Sequence, residues 1–164
     1  MPMGEEECCS DIDIKKYDLK LSKWSNKSFL AVNILHIFHI PLGMGSAVKY
    51  AFKTAEKAGI MPSQPMLLYG KEGLFWAKLF LEVQKQPSEN KELSKQIVSL
   101  EGTFVSKAYQ GSYSKMGAAI KELKEYVTQK YQKEPLEYYF WYANCPKCAK
   151  KQGGEKTVIF ARIS

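Results

Sequence analysis

At 164 residues, 45% of them apolar, the chain is long enough to bury one core or two small halves sharing a core, which excludes a wholly disordered protein. Its net charge of +7 is almost all lysine, with Arg162 the single arginine. That disfavours sequence-specific nucleic-acid reading, which uses arginine's two-pronged fork, and fits a solvated basic surface.

The first ten residues, "MPMGEEECCS", are expected to be a disordered acidic tail. "DIDIKKYDLKLSKW" (11–24) is expected to add pairing material to the first half. "SFLAVNILHIFHI" (28–40) is a β-branched and aromatic run that predicts a strand, too short and too polar to cross a bilayer. A helix then opens at "MGSAVK" (44–49), where Ala47, Val48, Ala51, Phe52 and Ala55 share one face and Gly59 ends it. Two strands follow, "QPMLLYG" (64–70) and "WAKL" (76–79), and then a polar connector at 85–95.

The second half repeats this order. A strand at 102–113 leads into a helix at "MGAAIK" (116–121), with Met116, Ala119, Ile120, Leu123 and Val127 on one face. Strands at "EPLEYYFWYANCP" (134–146) and "FARI" (160–163) complete it. The two hexapeptides stand 72 positions apart, whereas "WAKL" and "FARI" stand 84 apart. The difference predicts an insertion of about 12 residues at 144–155, where the first half has only "GKEG" (70–73).

The expected fold is therefore α+β: a duplicated strand–helix–strand–strand unit, an antiparallel sheet with two helices, and a ligand cleft at the pseudo-two-fold. It makes a single domain over 11–164, with halves at about 11–84 and 97–164 and a linker at 85–96. Without a signal peptide or a membrane-length apolar span, a cytoplasmic location with reduced thiols is expected. A monomer and a homodimer both remain open.

In "LEYYFWYAN", alternation puts Glu137, Tyr139 and Trp141 on one face and Tyr138, Phe140 and Tyr142 on the other. Neither face is polar, so core is expected to cover one and a cleft or partner the other. Glu137 can bind a cation or act as general base toward water, or it can pair with a lysine at the strand's wet end. His36 and His39, three apart on a strand, point to opposite faces and cannot share a metal without a bulge. Cys145 and Cys148 in "CPKC" have the gap of a zinc knuckle, but that is half a site, and the other cysteines, Cys8 and Cys9, lie in the acidic tail. No cofactor is called for.

"YQGSYSKMGAAIKELKEYV" (109–127), followed by a proline and a strand ending "YANCP", resembles the GyrI-like small-molecule-binding domain. This domain serves as the effector-binding part of multidrug-sensing regulators and is akin to the SOUL haem-binding proteins. The resemblance covers about residues 11–164 and is carried best by Tyr109, Gly111 and Tyr113. It implies capture of a hydrophobic, aromatic or cationic small molecule in a cleft between the two helices. Tyr69, Trp76, Tyr109, Tyr113, Tyr139, Trp141, Tyr142 and His36 would line that cleft, with polar recognition mainly from the second half. Members that bind cations place an acid two positions before a tyrosine on the penultimate strand. Matching that tyrosine to Tyr142 puts Phe140 at the acidic position, with Glu137 on the opposite face. The residues ahead of the first strand leave no room for a helix-turn-helix, so a stand-alone domain is expected. The resemblance also implies an alternative, a hydrolase of strained electrophilic toxins with Glu137 activating water. A more distant alternative is haem carriage with His36 as axial ligand.

Overall fold

The computed structural model describes residues 11–37, 40–72, 75–84, 91–144 and 146–164. Its elements alternate as the repeat requires, in an α+β fold with antiparallel strand pairs. First come β1 (Lys20–Ile37), a short β2 (Ile40–Leu42), α1 (Met44–Lys57), β3 (Leu67–Glu72) and β4 (Trp76–Val83). A short α2 (Lys91–Gln96) leads to β5 (Ile97–Gln110), α3 (Gly117–Tyr131), β6 (Glu137–Tyr142), the single turn α4 (Pro146–Ala149) and β7 (Lys156–Arg162). The chain forms two compact units.

The first unit is Lys23–Phe104 with Ser164. Its strands lie in the order β2-β1-β4-β3. Period-two alternation sends Leu30 of β1 and Leu81 and Val83 of β4 toward Ala51 and Ala55 of α1, and these residues bury one another. The small alanines let α1 lie close to the sheet, and each larger apolar side chain buried there contributes about 1.5–3 kcal/mol. The opposite sheet face holds rings: Phe29 meets Phe80 edge-on at 6.3 Å, and Trp24 stacks on Phe104 at 4.1 Å.

The second unit is Val105–Ile163 with the N-terminal stretch through Ser22. Its strands lie in the order β6-β7-β5. Val105, Ile159, Ala161 and Ile163 pack on Met116, Ala119, Leu123 and Val127. In both units the strand before the helix neighbours the last strand, which in turn pairs with the middle one. The topology is duplicated as the hexapeptides predict.

Two expectations are corrected. Of residues 11–24, Lys20–Trp24 open β1, whereas the stretch before them forms a 3₁₀ turn at Ile14–Tyr17 in the second unit and adds no pairing to the first half. The reason is polar satisfaction and ring coverage. Ser106, fully buried, donates to the Tyr17 carbonyl at 2.6 Å, and the Tyr17 ring meets Trp141 edge-on at 5.3 Å.

The second correction concerns the repeat's register. Tyr69 pairs with Leu79 and Tyr142 with Thr157. Trp76 pairs with Glu72, after Tyr69, whereas Phe160 pairs with Tyr139, before Tyr142. Tyr69 with Tyr142 and "WAKL" with "FARI" therefore cannot both be equivalent pairs.

Candidate functional site

β6 begins at Glu137, directly across from Arg162 of β7. The Tyr139 hydroxyl donates to Glu137 Oε2 at 2.8 Å, and Arg162 Nη1 donates to the same oxygen at 3.2 Å. Oε1 has no partner among the described residues. The Glu137 side chain is 50% exposed and that of Arg162 37%. Glu137 is therefore at the strand's wet end and not enclosed by rings. Its cationic partner is the single arginine and not a lysine. An exposed pair of this kind adds only about 0–1 kcal/mol of stability. Its consequence is orientation: two donors hold one oxygen of a half-exposed carboxylate.

Tyr138 and Phe140 pack against the α3 cluster, and alternation places Tyr142 with them. Tyr139 and Trp141, on the other face, are 8% and 7% exposed and belong to the core, the Trp141 ring covered by Tyr17. Only the Tyr139 hydroxyl reaches the exposed carboxylate.

The glycine stretch ahead of α3 divides its tyrosines. Tyr109 is half-buried against the α3 cluster, and its hydroxyl donates to the Ser112 carbonyl at 2.7 Å, within its own loop. Tyr113, exposed, sets its ring edge-on to Tyr142 at 5.1 Å. The second-half residues named from the sequence thus form two groups on opposite faces of the β6–β7 hairpin: Glu137 with Tyr139, and Tyr113 with Tyr142. Burial pushes the Tyr138 phenol above its usual range, and the Glu134 charge adds to this.

In the first unit, Tyr69 shares the α1-facing side of β3 with Leu67, and burial raises its phenol pKa. Trp76 opens β4, is 55% exposed and lies on the opposite face. Tyr69 and Trp76 therefore lie on opposite faces of the β3–β4 hairpin. His36 lies opposite Pro41 in the β1–β2 register, and its side chain is outside the described residues. His39, Cys8, Cys9 and Cys145 are also outside them, while Cys148 is buried in α4. Among the described residues no group of three or more His, Cys, Asp or Glu is placed to hold a metal. No helix among them is long and apolar enough to cross a membrane.

Arg162, the partner of Glu137, was not picked out from the sequence, although it carried a signal as the only arginine, lying on the last strand.

Three solved structures from Listeria innocua share the fold. A hydrolase encoded by lin2189 is 15% identical, covers 93% of this chain and 96% of its own, and superposes with a TM-score of 0.62. An uncharacterized conserved protein is 14% identical over 93% and 97%, with a TM-score of 0.63. A further hydrolase is 12% identical over 92% and 96%, with a TM-score of 0.57. No curated protein matches the sequence. The family model described as "Bacterial hydrolase" matches residues 1–163, and the chain belongs to that family.

Proposed function

We propose that the protein is a hydrolase that adds water to a strained, electrophilic small molecule, with Glu137 as general base. The observation carrying this reading is the half-exposed carboxylate whose Oε2 is engaged by both Tyr139 and Arg162. A base must present a lone pair in a fixed direction to the water it deprotonates, and two donors on the neighbouring oxygen fix that direction. Family membership and the hydrolase names of two structural neighbours favour water chemistry over binding alone.

In this mechanism Glu137 Oε1 takes a proton from water as the water oxygen bonds to a strained ring carbon. The strained carbon–carbon bond breaks, and its electron pair moves into the conjugated carbonyl of the substrate. Glu137 then returns its proton to the resulting oxyanion, so the net change is addition of one water. Glu137 stands two residues before Tyr139 on the penultimate strand, which is the acid–tyrosine spacing of cation-binding GyrI-like domains. This spacing supports a GyrI-like hydrolase. Capture of a hydrophobic small molecule is then the first step of turnover.

A spirocyclopropyl cyclohexadienone is a direct test, because water opens it to a hydroxyethylphenol with a change in ultraviolet absorbance. The wild-type protein is expected to accelerate this opening. Glu137→Gln is expected to lose about 100-fold or more of kcat/KM while retaining the melting temperature and probe binding. Undiminished turnover in that variant would remove Glu137 as the base.

A further inference from the structure

Thr157 lies in β7, fully buried, and its hydroxyl oxygen has no hydrogen-bond partner among the described residues. Buried hydroxyls are rarely left so, because desolvation is unfavourable unless another group replaces the lost water. Thr157 pairs across the hairpin with Tyr142.

Its surroundings indicate what it could serve. Ile159 and Ala161 of β7 belong to the cluster packed on α3, so alternation directs Thr157 to the same face. There Tyr142 lies directly across, with its ring 5.1 Å from that of Tyr113. Tyr113 is 40% exposed and opens a 3₁₀ turn at the surface.

We propose that Thr157, Tyr142 and Tyr113 form a subsite for a planar aromatic group carrying a hydrogen-bond acceptor. The group enters beside Tyr142 as the Tyr113 ring turns outward, and the Thr157 hydroxyl donates to its acceptor atom. This subsite lies on the opposite face of the hairpin from Glu137, and it stands whether or not Glu137 is the base.

Quinoline and naphthalene form a matched probe pair, since they share a shape and only quinoline carries an acceptor nitrogen. In a methyl- and tyrosine-labelled protein, quinoline is expected to shift the Thr157 methyl and Tyr142 ring resonances. Thr157→Val is expected to keep or raise the melting temperature and to weaken quinoline binding about fivefold or more, leaving naphthalene binding unchanged. Thr157→Ser, which keeps the hydroxyl, is expected to retain the preference for quinoline. Equal quinoline affinity in wild type and Thr157→Val, or an unmoved Thr157 methyl, overturns the proposal. So does a lower melting temperature in Thr157→Val, which would show that the hydroxyl serves the fold.

Discussion

Gly111 shows at the scale of one residue how the loop ahead of α3 fixes its tyrosines. Its φ is +152°, and a Cβ added there would stand 2.9 Å from the Tyr109 hydroxyl oxygen and 3.2 Å from Cζ. That hydroxyl is engaged with the Ser112 carbonyl at 2.7 Å, so it cannot retreat without losing its bond. Gly111→Ala therefore combines backbone strain with a clash, and a loss of about 1–3 kcal/mol is expected in chemical denaturation. In a Tyr109→Phe background the clashing oxygen is gone, so the same substitution is expected to cost measurably less. Equal costs in the two backgrounds would show that the close approach is not what selects glycine. The Tyr109–Gly111–Tyr113 stretch was visible in the sequence as a motif. The division of labour within it was not, because which phenol turns inward depends on a single carbonyl three residues away. Glu137 was legible as a charged residue in an aromatic strand, with the strand's wet end among its readings, but its partner Arg162 was not. Register across β6 and β7 sets that pairing, and one strand read alone does not contain it.

At the scale of the element, α3 carries a correctable defect. Its C-terminal cap, Gln132, adopts the left-handed conformation at φ 50° and donates its backbone N–H to the Thr128 carbonyl. Glycine occupies this conformation without steric penalty. Gln132→Gly is expected to raise stability by about 0.5–1 kcal/mol with no change in activity, and an unchanged denaturation midpoint would count against the cap as a strained position. The helices themselves were legible, since Ala51 and Ala55 in α1 and Leu123 and Val127 in α3 show the spacing of one face. The duplicated strand order was legible for the same reason. What the pattern did not disclose was the place of residues 11–18. Their apolar residues show no strong period, and their docking answers the needs of Ser106 and Trp141, which are remote in sequence.

For the whole molecule, alkaline pH tests whether both units bury tyrosine on their helix-facing strands. Burial raises the pKa of Tyr69 in one unit and of Tyr138 in the other, and the Glu134 charge adds to the second shift. Lys130 is also raised, first by its hydrogen bond with the Tyr126 hydroxyl and then by the charges of Tyr126 and Tyr131. All three groups hold protons in the folded state at a pH where the unfolded chain has released them. The unfolded chain then binds fewer protons, so unfolding becomes more favourable as pH rises. The stability from the two phenols is accordingly complete below their unfolded value of about 10 and is lost as pH climbs through their folded values. Denaturation midpoints are expected to hold steady from neutral pH and to fall above about pH 10. The double variant Tyr69→Phe, Tyr138→Phe removes the two phenols and keeps their rings, so its decline is expected to be shallower. Two single variants that each recover part of the slope would assign one contribution to each unit. A double variant that declines as steeply as the wild type would show that these phenols are hydrated in solution and that the two strand faces are more open than their packing implies.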